Sequence, residues 1–383
     1  MSDSSADDPA VHPFRVEVPQ GEVDDLAGRL ARTRWPVEQD LPGERGIRLA
    51  RVRALADRWS GGWSWRAQEA ALNAWPQVVT TVDGTRLHAL HVRSPEASAV
   101  PLVLLHGWPG SVVEFLRVVG PLTDPAAHGG DPADAVHVVV PSLPGFGFSG
   151  PTPDGGWTTQ RMAVAVAELV RRLGHDRYVV HGGDWGSAVA RDLAVADPGA
   201  VAGVHVTMTM GLDAQSVGLA PDADDAEEGA AARTAARYAA ELSGYNKLQS
   251  TRPLALAPAL TDSPVGLLAW IAERYDEWSD PAGLVDDDAV LTTAAVYWFT
   301  RTGPSSAQVY WERRHGPRPE WSRAVPTGVT VLPHDLDRPV RRVVERAVDL
   351  VSWGELDRGG HFPALEVPDL LVGELRRFVR RVL

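Results

Sequence analysis

Hydrophobic positions in the first 77 residues recur every three to five residues, which is the spacing of amphipathic helices. Two such helices are predicted, with apolar positions at Val23, Leu26, Leu30, Trp35, Leu49, Val52, Leu55, Ala56 and Trp59. We interpret the tryptophans as packing anchors, because a segment that packs on another domain needs large apolar side chains. Residues 1–77 are therefore predicted to form a helical extension that packs on the rest of the protein.

From Val78 the pattern changes to short apolar runs separated by helical stretches. Strands are predicted at 78–82, 87–92, 102–105, 136–140 and 178–181. The first two flank an Asp-Gly turn. A helix is predicted over 160–173, where Met162, Val166, Leu169 and Val170 share one face. Strands that alternate with helices of this length predict an α/β fold with a mostly parallel sheet.

Residues 211–325 interrupt this alternation, since they carry helical segments and aromatic residues but no clear strand. Strand patterns return at 328–332 and 348–353, and a final amphipathic helix follows. We expect one sheet domain built from residues 78–210 and 326–383, with 211–325 as a helical insertion. The acidic, alanine-rich stretch 222–232 within the insertion is expected to be solvated or mobile.

Composition narrows the function classes. The 383 residues carry a net charge of −13, which argues against a duplex nucleic-acid partner. The sequence has no cysteine, which excludes thiolate chemistry. The first residues match no secretory signal and no apolar run is long enough to cross a bilayer, so the cytoplasm is the expected location. No paired metal-ligand spacing, P-loop or dinucleotide fingerprint occurs, so neither a metal nor a cofactor is expected.

The strongest chemical signal is the segment 179–186, VVHGGDWG. An apolar strand runs into a turn with Gly182 and Gly186 placed two residues before and two residues after Asp184. This is the nucleophile-elbow pattern of hydrolases, with aspartate in the position of the usual serine. A glycine-rich turn in which Asp184 caps a helix is the alternative interpretation.

The segment 106–110, HGWPG, follows the predicted strand 102–105. In a hydrolase with a nucleophile elbow, the loop after this strand and the residue after the nucleophile supply two backbone N–H groups to the oxyanion hole. Those donors would be Trp108 and Trp185. We expect His106 to be structural.

A candidate base follows late in the chain, in the segment 359–366, GGHFPALE. His361 lies after Asp184 in the chain, as the order nucleophile, acid, histidine requires. Asp335 follows the strand 328–332 and is the candidate acid that would orient the imidazole. Glu355 and Asp357, on the loop before His361, are alternatives to Asp335.

These motifs together resemble the α/β-hydrolase-fold epoxide hydrolases of the microsomal and juvenile-hormone type, with their bacterial and fungal relatives. The resemblance spans nearly the whole chain, through HGWPGS, PSLPGFGFS, HGGDWG, PHD and GGHFPALE. It implies that residues 211–325 form a helical cap and that residues 1–77 pack on core and cap. Because the chain has one lysine among many arginine, alanine and glycine residues, an actinomycete-like genome is indicated, and members related to enediyne-antibiotic biosynthesis are a natural comparison.

The resemblance also implies a chemistry. Asp184 would attack an epoxide carbon to form an ester, and water activated by His361 would hydrolyse this ester to a vicinal diol. Two cap tyrosines, Tyr245 and Tyr310, would bind the epoxide oxygen and supply a proton, without cofactor or metal. The expected partners are a small-molecule epoxide and water, and a homo-oligomer stays open. The membrane anchor of the microsomal enzymes is not expected here.

Haloalkane dehalogenase is the nearest rival, since it forms the same kind of aspartyl ester in the same fold. The Asp184-Trp185 pair does not separate the two activities. The tyrosine pair and the N-terminal extension favour the epoxide hydrolase. A binding protein that has lost catalysis is disfavoured because Asp184, His361 and an acid are all present.

Overall fold

The computed structural model describes residues 9–39, 45–282, 285–317 and 320–383. Within these ranges one nine-stranded sheet forms the centre of the protein. Its strands are β1 (His12–Phe14), β2 (Gln77–Val82), β3 (Thr85–Val92), β4 (Val100–Leu105), β5 (Val136–Pro141), β6 (Tyr178–Gly182), β7 (Val201–Val206), β8 (Pro326–Val331) and β9 (Asp349–Glu355).

Helices precede β2, connect several of the strands, fill the segment between β7 and β8, and follow β9. They are α1 (Gln20–Ala31), α2 (Leu49–Gly61), α3 (Trp65–Leu72), α4 (Leu116–Thr123), α5 (Thr159–Arg172), α6 (Asp184–Ala196), α7 (Ala226–Arg237), α8 (Gly244–Thr251), α9 (Ala257–Asp262), α10 (Pro264–Trp278), α11 (Asp287–Thr300), α12 (Gly303–His315), α13 (Arg341–Ala347), α14 (Pro363–Glu366) and α15 (Pro368–Val382).

The strand order is β1-β2-β3-β5-β4-β6-β7-β8-β9. From β5 to β9 every neighbouring pair is parallel, whereas β1, β2 and β3 pair antiparallel at one edge. The predicted α/β class with a mostly parallel sheet is thus confirmed. The central strands β4 and β6 are almost continuously apolar, as is typical of strands buried within a parallel sheet.

Two strands were not anticipated from the sequence. β1 has three residues and is too short to show a period, and it pairs with β2 through His12 to Phe14. β7 contains Gly203 and His205 within an apolar run, and it fills the place between β6 and β8.

Helices α7 to α12 lie in sequence between β7 and β8, in the segment predicted as the helical insertion. The expectation that residues 222–232 are solvated or mobile is wrong for their second half, which lies in α7 and includes the buried residues Gly229, Ala231 and Ala232. Asp225, just before α7, caps this helix by accepting the backbone N–H groups of Glu227 and Glu228. Arg342 forms ion pairs with Asp225 (2.6 Å) and Glu228 (2.7 Å), which ties α7 to α13.

Charged contacts join the N-terminal helices to helices of the insertion. Arg51 on α2 pairs with Asp276 (3.2 Å) and Asp287 (2.7 Å), and the α3 residue Trp65 packs its ring 4.7 Å from that of Phe299. The extension therefore contacts α10 and α11 directly. Across the described residues, every helix falls short of the length and apolar character that crossing a membrane would require.

Candidate active site

The elbow between β6 and α6 presents the Asp184 side chain at the carboxyl end of the parallel strands. Asp184 has φ +48°, a left-handed backbone that non-glycine residues adopt rarely and at an energetic cost. The turn closes tightly around this residue. A Cβ on Gly186 would lie 2.0 Å from the Leu105 carbonyl oxygen, and one on Gly182 would lie 2.3 Å from the Gly186 backbone. Only glycine fits at both positions.

The loop after β4 and the start of α6 hold the Asp184 carboxylate from two sides. The Trp108 backbone N–H donates to Asp184 Oδ1 at 2.8 Å, and the Trp185 N–H also donates to this carboxylate. Gly107 allows the close approach, because a Cβ there would lie 2.3 Å from Asp184 Oδ1. The two expected oxyanion-hole donors therefore converge on the same side chain. His106 lies beneath the loop, where its Nε2 accepts the Leu143 N–H at 3.1 Å.

His361 lies between two carboxylates. Its Nδ1 is 2.7 Å from Asp335 Oδ1 and its Nε2 is 3.7 Å from Asp184 Oδ2. Asp335, which follows β8, is thus the candidate acid whose carboxylate lies within hydrogen-bond distance of the imidazole. Glu355 accepts the Trp353 indole N–H instead, and both Glu355 and Asp357 are exposed.

Charge around the imidazole decides its protonation. Burial alone would lower the pKa of His361, but the negative charges of Asp335, Asp184 and Glu114 outweigh burial and raise this pKa to about 9. Burial raises the pKa of Asp184 above its usual value, although His361 and the backbone donors oppose this. At neutral pH His361 is thus an imidazolium beside the Asp184 side chain.

Tyr245 on α8 and Tyr310 on α12 pack against the two tryptophans whose backbone N–H groups hold the Asp184 carboxylate. Tyr245 stacks on Trp108 with ring centroids 5.3 Å apart, and Tyr310 meets Trp185 edge-on at 4.8 Å. The two phenol rings are 5.8 Å apart. Burial raises the pKa of both phenols well above the ordinary tyrosine value, and the Asp184 charge adds to the effect.

Two polar residues near this centre were missed by sequence reasoning. Tyr238, on a π-helical turn after α7, places its hydroxyl 2.8 Å from that of Tyr245. Glu114, on the 3-10 turn Val112–Phe115, is buried close to His361 and Asp184. Tyr238 follows the stretch expected to be solvated, and Glu114 stands within an apolar run, so neither position signals a site.

Two family models match the chain. One is described as the epoxide hydrolase N terminus and matches residues 11–115. The other is the alpha/beta hydrolase family, which matches residues 102–374 and thus most of the chain. The first match runs beyond residue 77, the predicted end of the extension, through β2, β3 and β4 into the loop that holds Asp184.

Similar proteins span nearly the full chain. A Stigmatella aurantiaca protein named "Putative epoxide hydrolase" is 41% identical over 97% of this chain and 85% of its own length. Epoxide hydrolase 1 of Sus scrofa is 32% identical over 98% and 90%, respectively. The solved structure of Aspergillus niger epoxide hydrolase superposes with a TM-score of 0.85 at 30% identity, over 98% of this chain and 97% of that one. The chain belongs to the epoxide hydrolase family of α/β-hydrolase-fold enzymes.

Proposed function

We propose that the protein converts epoxides to vicinal diols through a covalent ester on Asp184. The surroundings of the Asp184 carboxylate support this proposal. Two backbone N–H groups donate hydrogen bonds to it, and His361 Nε2 lies 3.7 Å from it. Two buried tyrosines pack against the residues that supply these N–H groups. A carboxylate nucleophile suits a two-step reaction because its ester with the opened epoxide can be hydrolysed.

In the first step, Asp184 Oδ2 attacks an epoxide carbon and the carbon–oxygen bond of the ring breaks. Oδ1 is bound to the Trp108 N–H, so Oδ2 is the oxygen assigned to attack. The developing alkoxide takes a proton from Tyr245 or Tyr310. A phenol suits this role because it stays protonated at neutral pH and donates a hydrogen bond.

In the second step, neutral His361 removes a proton from water as the hydroxide adds to the ester carbon. The tetrahedral intermediate then collapses, the bond between this carbon and the substrate oxygen breaks, and the imidazolium gives its proton to the departing diol oxygen. An imidazolium cannot act as this base, and the pKa of about 9 protonates His361 in the free protein. Alkylation neutralises Asp184 and thereby removes one of the charges that hold the proton. The first step therefore lowers the pKa of His361. Its proton passes to the tyrosinate that the first step leaves, so His361 is neutral for the second step. The Trp108 and Trp185 N–H groups bind the oxyanion, which forms on the ester carbonyl.

Aromatic residues dominate the surroundings of the nucleophile, namely Trp108, Trp185, Trp278, Tyr245 and Tyr310. Such rings favour an aromatic or bulky epoxide, because face and edge contacts with them add to the burial of apolar area. Styrene oxide is therefore the substrate of choice for a first assay.

Replacing the nucleophile tests the proposal. The wild-type protein should convert styrene oxide to its diol, and Asp184→Asn should form none above the uncatalysed rate. Chloride release from a chloroalkane by a wild-type protein that forms no diol from epoxides would contradict the proposal and favour dehalogenation.

A further inference from the structure

A small cavity of about 10 Å³ lies directly beside the nucleophile. Its wall includes Glu114, Asp184 and His361. The wall is completed by Trp108, Phe362, Gly107, Gly110 and Gly183. A volume of roughly 10–15 Å³ on this scale is what a single water molecule requires. The cavity therefore fits one water within reach of the ester carbon and of His361.

Glu114 is the polar group of this wall that the proposed mechanism does not yet use. Its side chain is buried, with 8% of the residue exposed. Within the described ranges, no hydrogen-bond donor contacts its carboxyl group. The pKa of Glu114 is raised to about 8, mainly by burial. The nearby charge of Asp184 also raises this pKa, whereas His361 lowers it.

A second buried carboxyl group in the same region shows how a purely structural one is held. Glu366 accepts backbone N–H groups from Asp280 (2.7 Å), Phe362 (2.8 Å) and Gly360 (2.9 Å). These bonds fix the loop that carries His361. Burying a carboxyl group without a hydrogen-bond partner is costly. A water molecule in the cavity would give Glu114 such a partner.

We propose that Glu114 is a positioning residue for the water that hydrolyses the ester. This inference rests on the proposed covalent mechanism. The water gives one proton to His361 Nε2 as its oxygen adds to the Asp184 carbonyl carbon, and its second hydrogen is held by a Glu114 oxygen. A carboxyl oxygen accepts this hydrogen bond in either protonation state. Held at both hydrogens, the water directs a lone pair at the ester carbon.

The test separates the two half-reactions in single turnovers with styrene oxide. Trp108 and Trp185 flank the nucleophile, so stopped-flow tryptophan fluorescence should report alkylation and its reversal, and acid quench with intact-mass measurement should count the adduct. We expect Glu114→Ala to keep the alkylation rate within about 3-fold and to slow hydrolysis by about 10²-fold. The adduct, protein plus one styrene oxide, should then accumulate.

Glu114→Gln supplies the conservative comparison, because it keeps the shape and one acceptor oxygen. It should hydrolyse faster than the alanine variant, and it keeps the test available if the alanine variant does not fold. Glu374→Gln is a matched control, since Glu374 is also buried but pairs with Arg377 on α15. It should leave both rates unchanged.

Two results would overturn the role of Glu114. One is a hydrolysis rate within 3-fold of wild type in both Glu114 variants. The other is an equal loss of alkylation and hydrolysis, which a general structural role would produce. Failure of the proposed function is distinguished by the wild-type protein: if it neither forms diol nor an adduct with styrene oxide, the covalent mechanism fails and this inference fails with it.

Discussion

The indole of Trp108 lies parallel to the phenol of Tyr245, with an angle of 6° between the ring planes and 5.3 Å between their centroids. Trp108 also donates its backbone N–H to Asp184 Oδ1. One residue of the core loop therefore contacts both the nucleophile and a tyrosine of the insertion. This contact fixes the position of the proposed acid relative to the proposed nucleophile.

The tyrosines should act on alkylation rather than on hydrolysis. Tyr245→Phe and Tyr310→Phe each remove one donor to the alkoxide, and the double variant removes both. We expect the double variant to alkylate roughly 10²–10⁴-fold more slowly, the usual range for lost general acid catalysis, with single variants in between. Single-turnover fluorescence measures this rate. Tyr178→Phe is the control, because Tyr178 is a buried tyrosine at the start of β6, and equal losses in all variants would contradict the assignment.

Asp335 should act on hydrolysis. Asp335→Asn keeps a polar group near His361 Nδ1 but removes the charge that stabilises the imidazolium. We expect the hydrolysis rate to fall roughly 10²–10⁴-fold and the adduct to accumulate, as intact-mass measurement would show. Glu355→Gln and Asp357→Asn change exposed carboxylates and should behave as wild type. If either of them matched Asp335→Asn, the assignment of the acid would be wrong.

The free energy of unfolding should pass through a maximum between about pH 6 and pH 7. On the acid side, burial lowers the pKa of His88 to about 3 and that of His106 and His181 to about 4. These imidazoles stay neutral in the folded state while the unfolded chain takes up protons below about pH 6.5. Stability should therefore fall as the pH drops from about 6.5 towards 4.

On the alkaline side the sign reverses. The folded pKa of His361 is about 9 and that of Glu114 about 8, both above their unfolded values, so the folded state holds these protons more tightly. This contribution is complete below the unfolded pKa and is lost as the pH rises through the folded one. For each proton that the folded state binds beyond the unfolded state, the free energy of unfolding falls by about 1.36 kcal/mol per pH unit. Urea unfolding at a series of pH values measures the curve, and a steady rise from pH 6.5 to pH 9 would contradict it.

The parts of the site that depend on local sequence could be predicted. Gly182 and Gly186 must flank Asp184 because the turn leaves no room for a Cβ, so the motif reveals the elbow. Asp335 and His361 follow strands whose carboxyl ends meet at one edge of a parallel sheet, and the apolar runs reveal those strands.

Other parts depend on tertiary packing that one sequence does not display. Glu114 resembles a stray polar residue between Val113 and Phe115, and its closeness to His361 arises only when the loop after β4 packs against the loop before α14. Tyr238 meets Tyr245 because a π-helical turn follows α7. No local sequence pattern predicts this π-helical turn.

A single turnover in oxygen-18 water tests whether the covalent ester forms on Asp184. With protein in excess over styrene oxide, the diol should carry no label, because its new oxygen comes from Asp184 Oδ2. The label should instead appear in the Asp184 carboxylate, detectable by mass analysis of the peptide that contains it. Label in the diol of the first turnover, with none in Asp184, would show direct attack of water on the epoxide and would rule out the ester.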